Sequence, residues 1–107
     1  MKTSDAVIVL CTTPDKASAT TLAECAIRSQ LAACVNILPG MTSYYLWQDK
    51  LECAEECQLI LKSNTEHQHA LLSLLKQAHT YDVPELLVIP VQHGENEYLS
   101  WLHASLA

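Results

Sequence analysis

Cys34-Val35-Asn36-Ile37-Leu38-Pro39-Gly40-Met41-Thr42-Ser43-Tyr44-Tyr45-Leu46-Trp47 favours β structure along nearly its whole length and is interrupted only by Pro39-Gly40. Read as one kinked strand, these residues would span roughly 46 Å at ~3.3 Å per residue, whereas a domain of about 100 residues has a radius of gyration near 13 Å. The strand therefore outruns the domain that carries it. Its far half is apolar on both faces, with Tyr44 and Leu46 on one and Tyr45 and Trp47 on the other, an arrangement seldom left in water. The expectation is that another subunit covers it. In the competing arrangement, Pro39-Gly40 is a bulge that folds the strand back over its own sheet.

Downstream, Gln48-Asp49-Lys50 reads as a hairpin turn, and Leu51 to Lys62 returns as a strand centred on Leu59, Ile60 and Leu61. Thr65-Glu66-His67-Gln68 matches a capping box, followed by a helical stripe of His67, Ala70, Leu71, Leu74, Leu75 and Ala78. Tyr81-Asp82-Val83-Pro84 is a break and Glu85 to Val91 a further strand. Gly94 ends it before a short helix with Leu99, Leu102 and Leu106 at helical spacing.

Upstream, Ala6 to Cys11 is a continuous apolar run, the pattern of a central strand. Thr13-Pro14-Asp15 reads as an N-cap, a first-turn proline and a carboxylate at the positive end of the helix dipole. The stripe Ala19, Leu22, Ala23, Ala26, Ile27 then carries that helix to about Leu31. The order β-α-β-β-α-β plus a terminal helix predicts an α+β, ferredoxin-like sandwich, one four-stranded sheet with two helices on one face.

The bulk properties fit one such domain over residues 1–107, because half of the residues are apolar. A formal charge of −6 and a pI near 5.1 are the opposite of what phosphate backbones or anionic lipid attract, so nucleic acid is not an expected partner. No run approaches the roughly 20 apolar residues of a membrane span. Lys2 is followed by Asp5 and a short apolar run, which is not an export signal, so the expected location is the cytoplasm. Five cysteines, Cys11, Cys25, Cys34, Cys53 and Cys57, with no Cys-x-x-Cys argue against a disulfide framework or zinc ribbon. On a strand Cys53 and Cys57 share a face about 13 Å apart, beyond disulfide reach.

In this topology one end of the domain gathers Cys11, Thr13, Asp15, the hairpin tip, His79, Tyr81, Asp82 and Glu85. Cys11, His79 and Glu85 can approach one another there, and a thiolate with an imidazole suits copper or zinc. The plainer alternatives are a core thiol for Cys11 and a helix C-terminal cap for His79. His67 and His69 point about 200° apart on a helix and cannot share an ion. His93 and His103 read as surface groups. With Gly40 and Gly94 as its only glycines, the chain has no phosphate-cradling loop, and it lacks a nucleophile elbow and a His-Glu-x-x-His helix, so no enzyme is expected.

Val9-Leu10-Cys11-Thr12, Leu31-Ala32-Ala33-Cys34-Val35-Asn36, Ser43-Tyr44-Tyr45-Leu46-Trp47, Tyr81-Asp82-Val83-Pro84-Glu85-Leu86 and Tyr98-Leu99-Ser100-Trp101-Leu102 together resemble the divalent-cation tolerance (CutA) family from end to end. The resemblance implies a homotrimer similar to the trimeric nitrogen-signalling PII proteins, with long hairpins pairing between subunits, and a role in tolerance of heavy metals, copper above all. It implies copper ligands at Cys11 and at two successive histidines, which here are Ala78 and His79. One ligand is thus replaced, leaving Glu85, Asp82 or a neighbouring subunit to substitute. Relatives also tend to place a glycine where this chain has Asp49.

Three functions follow as expectations. The first is a metal-tolerance protein binding a copper-like cation weakly through Cys11 and His79. The second is a PII-like signalling module binding a small anionic ligand in inter-subunit clefts lined by Tyr45, Trp47, Lys62 and Tyr81, unless Lys62 is instead a salt bridge to Glu56 or Glu85. The third is a trimeric assembly scaffold.

Overall fold

The computed structural model describes residues 4–107; Lys2, on which the reading of the N-terminus partly rested, lies outside the described residues. The elements are β1 (Ala6–Thr13), α1 (Lys16–Arg28), β2 (Cys34–Trp47), β3 (Lys50–Asn64), α2 (Gln68–Ala78), β4 (Leu86–Pro90) and α3 (Asn96–Ala104). The four strands form one antiparallel sheet in the order β2-β3-β1-β4. This is the ferredoxin-like α+β arrangement expected from the sequence.

Strand alternation decides what each face does. In β1, Val7, Val9 and Cys11 point toward the helices and pack with Leu59 and Leu61 of β3, Ala19, Leu22 and Ala26 of α1, and Leu71 and Leu75 of α2. Ile8, Leu10 and Thr12 alternate with them and so lie on the other face of the sheet. A smaller cluster at one end seats α3, with Leu102 and Leu106 buried against Ala6. All five cysteines are free thiols.

The β2–β3 hairpin is longer than the rest of the domain needs, and the molecule measures 48 × 27 × 22 Å. The strand does not fold back at Pro39-Gly40. Pairing resumes at Met41↔Glu56 and runs to Trp47↔Lys50, and the interruption is a bulge in which two residues face one, Cys57. Proline has no N–H to give the ladder, and Gly40 adopts φ +74°, so the dipeptide suits this site. The extra residue reverses the alternation. Leu38 and Met41 consequently share a face although their numbers differ in parity, and Ser43, Tyr45 and Trp47 lie on the face of the sheet away from α1 and α2. The turn has Gln48 at φ 50° and Asp49 at φ 65°, the two left-handed positions of a type I′ turn, so Asp49 takes the place where a glycine is usual.

Several local boundaries differ from the expectation. Thr13 does not cap α1: β1 continues through it in register with Cys57, and its buried hydroxyl donates to the Asp15 carbonyl at 3.0 Å. Asp15 is the cap, accepting the Ser18 N–H at 2.7 Å, a bond that holds its carboxyl below the ordinary carboxylate range. The helix stops at Arg28 rather than Leu31 because Gln30 turns left-handed at φ 59°. The Thr65 capping box does not form. Asn64 accepts the His67 N–H at 3.0 Å and its ring at 2.7 Å, so residues 65–67 make a turn and α2 starts at Gln68. His103 is no plain surface group either: it is half-buried, with Nδ1 3.0 Å from the Asn64 side-chain nitrogen.

Candidate functional site: the cleft between hairpin and helix-two loop

Thr12 is the centre of the polar end of the sheet. Its hydroxyl points to the face away from the helices, 3.0 Å from Glu85 Oε2 and 3.2 Å from Gln58 Oε1. Its carbonyl lies 2.7 Å from His79 Nε2. Because a carbonyl only accepts, the proton sits on Nε2. Nδ1 is then the acceptor for the Tyr81 N–H at 2.9 Å. His79 also ends α2, its own N–H donating to the Leu75 carbonyl at 3.0 Å. The imidazole thus uses both nitrogens to fix the turn from α2 into the loop that precedes β4, and it packs against Tyr81 with 5.0 Å between ring centroids.

Cys11, one residue before Thr12, faces the opposite way and is fully buried. Burial pushes its thiol up to about 12, with the negative charge of Glu85 adding to the effect. At neutral pH this is a protonated core thiol. Cys11, His79 and Glu85 therefore do meet around one residue, Thr12, but from different sides of the sheet. Among the described residues no three His, Cys, Asp or Glu side chains cluster closely enough to hold a metal ion.

Beyond Glu85 the loop and the outer hairpin border an open cleft of about 900 Å³. Tyr45 and Trp47 line it from β2, placed there by the reversed alternation after the bulge, and Tyr81 lines it from the loop. The Tyr81 hydroxyl donates to Glu56 Oε2 at 2.7 Å and joins the two walls. Burial, followed by the adjacent carboxylate of Glu56, pushes that phenol up to about 12. Lys76 ties down the same loop, its ammonium donating to the Asp82 carbonyl at 2.9 Å.

The remaining lining is acidic. Glu52, Glu56, Asp82 and Glu85 all border the cleft, and among the described residues no lysine or arginine does. Lys62, expected with Tyr45, Trp47 and Tyr81 in a cleft between subunits, does not line this cleft of the single chain. It pairs across the sheet with Ile8 and Cys34, four residues beyond Gln58, and its ammonium sits 5.8 Å from the centroid of the Tyr98 ring in α3. The contribution of Glu52, Glu56 and Gln58 was not anticipated. Their even spacing along β3 was the available signal, since residues two apart on a strand share a face.

Comparison with known proteins places this geometry in a family. The family profile described as CutA1 divalent ion tolerance protein matches residues 7–105. A protein of Yersinia pestis named divalent-cation tolerance protein CutA is 58% identical over 103 residues, covering 96% of this chain and 87% of that one. The crystal structure of CutA from Xylella fastidiosa superposes with a TM-score of 0.95 at 38% identity, covering 97% of this chain and all of the other. CutA1 from Oryza sativa gives 0.94 at 39% identity, covering 98% and 96%. The resemblance read in the five sequence segments is thereby borne out, and the chain belongs to the CutA1 divalent ion tolerance family.

Proposed function

We propose that the chain works as a non-catalytic homotrimer that binds copper-class cations weakly. The observation that carries the assembly is the outer hairpin, where Tyr44, Leu46, Trp47 and Leu51 are between 62% and 72% exposed at the end of a 48 Å molecule. Such a two-faced apolar projection needs a cover, and another copy of the hairpin is its natural complement. Sedimentation equilibrium at micromolar concentration tests this. A mass three times 11.9 kDa is expected, and a monomer overturns it.

The cation arm keeps Cys11 and His79 as the soft donors, with Glu85 across the sheet from Cys11 and Asp82 in the loop beyond His79. Binding there has a defined cost. The thiol must lose its proton, and the imidazole must release either Thr12 or Tyr81. Copper, at the top of the divalent affinity series and well matched to sulfur as Cu(I), is the metal best able to offset that. Titration of metal-free protein with Cu(I), Cu(II) and Zn(II) should show copper binding that tightens as pH rises and is lost in Cys11→Ser and His79→Ala. Equal binding by parent and variants overturns the assignment. The arrangement also argues against catalysis, because a protonated thiol and a fully bonded imidazole are poor nucleophile and poor base.

A further inference from the structure

We propose that His67 is a proton-operated latch: its imidazolium ties the chain that leaves α3 to the start of α2, and loss of one ring proton lets that chain go. The two nitrogens of the ring face two oxygens. Nδ1 lies 2.7 Å from Asn64 Oδ1, and Nε2 lies 2.5 Å from the main-chain oxygen of Ala107. The orientation of the Asn64 amide is fixed independently, because the His67 N–H, which can only donate, also reaches Oδ1 at 3.0 Å. Neither oxygen has a proton to give. Both ring nitrogens must therefore supply one, and the ring that makes both bonds is the cation. The other end of the same amide sets the opposite state. Asn64 Nδ2 donates to His103 Nδ1 at 3.0 Å, so that nitrogen carries no proton and the His103 ring is neutral.

The surroundings suit a charged ring. Asp5, from the segment before β1, and Glu66, in the turn, border the same hollow as His67, His103 and Ala107, and among the described residues no lysine or arginine does. What the latch holds is the junction of α1, α2 and α3. The Ala107 N–H donates to the Gln30 carbonyl just past α1 at 3.1 Å, while its oxygen accepts from His67 at the start of α2. Leu106, one residue before, is buried in a cluster with Ala6 and Leu102. A neutral ring keeps only one proton, so one of its two bonds becomes a contact between lone pairs. Asn64 and His67 stay together because the bond from the His67 N–H holds them within one turn. Ala107 is exposed and is the partner that yields. The dependence therefore runs one way: the tail is held while His67 is protonated and is released as pH rises through the titration of that ring. The device involves neither the hairpin surface nor Cys11 and His79, and it stands independently of the assembly and cation readings.

The test follows the full chain, isotope-labelled, by NMR from about pH 5 to 8, the range in which imidazoles titrate. The Ala107 amide should titrate with the same midpoint as the His67 ring. Its protection against solvent exchange should fall about tenfold across that midpoint, beyond the rise that base catalysis gives every amide. His67→Gln and His67→Ala, which cannot titrate, should each remove the Ala107 transition. His69→Gln, further along the helix and outside the hollow, should leave it as in the parent. An Ala107 amide that is indifferent to pH, that titrates at a midpoint other than that of His67, or that still titrates in the folded His67 variants overturns the proposal. So does a His67 ring with a bare nitrogen while Ala107 is held. If one variant does not fold the other decides, and the paired titration of the parent needs neither.

Discussion

The inner and outer halves of the β2–β3 hairpin use one continuous ladder and solve different problems. Inside, residues 34–38 pair with 58–62 beneath two helices, and Leu59 and Leu61 are fully buried. Outside, residues 41–47 pair with 50–56 and present comparable apolar side chains to solvent. Backbone pairing and the Tyr81–Glu56 hydrogen bond hold the outer ladder in shape, whereas burial gives the inner half its stability. The comparison teaches that the length of a strand and the cover of a strand are specified separately, and that the uncovered half is where assembly can act.

Four experiments would break or sharpen that contrast. Leu61→Ala should cost about 3 to 4 kcal/mol in urea unfolding, since a fully buried leucine leaves both a transfer loss and a cavity. Leu46→Ala should cost less than about 0.5 kcal/mol in the isolated subunit, as surface substitutions do. Equal costs would mean the outer half is as buried in the single chain as the inner.

Next in size, Leu46→Asp combined with Leu51→Asp should reduce the sedimentation mass to that of one subunit while leaving far-UV circular dichroism intact. These residues face one another on the ladder and are 71% and 72% exposed. Unchanged mass would show that the hairpin is not the contact surface.

The third concerns pH and the inner half. A thiol raised from 9.0 to about 12 in the folded state binds its proton more tightly there than in the unfolded chain. Its contribution is complete below about pH 9 and declines as pH rises from there toward 12, by about 1.4 kcal/mol per unit. Tyr81, raised from 10.0 to about 12, acts in the same direction. Cys11→Val should therefore flatten the alkaline fall of stability between pH 9 and 10.5. A variant as steep as the parent would remove Cys11 from the account.

The smallest effect is expected at the joint. Gly40→Ala places a Cβ in open space, so its cost is the left-handed backbone alone, about 1 kcal/mol by thermal unfolding. A much larger loss would show that the bulge is held by more than its dihedral angles.

Element order, the long strand, its two-faced apolar far half and the helical stripe of α2 were legible because each rests on a period of two or 3.6 residues or on length. Caps were not. Thr13 and Asp15 are both good capping residues, and only the ladder with Cys57 removes Thr13 from the contest. The Thr65 box was lost because the Thr65 N–H, which Gln68 would have to reach, donates instead to the Asp5 carbonyl at 2.9 Å. In the site, proximity of Cys11, His79 and Glu85 followed from topology, but the side of the sheet on which each lies did not. That depends on knowing that β1 extends through Thr12 and Thr13. Within one chain, Lys62 near the end of β3 lies far from the hairpin tip, with Tyr98 as its neighbour.

The bulge at Pro39-Gly40 gives the base of the hairpin a spare residue. Removing one of the two would leave Leu38 and Met41 two apart and on the face they already share, paired as before with Gln58 and Glu56. Tyr45 and Trp47 would keep their side of the sheet. The stretch from Met41 to Trp47, which pairs one for one with β3, has no such slack.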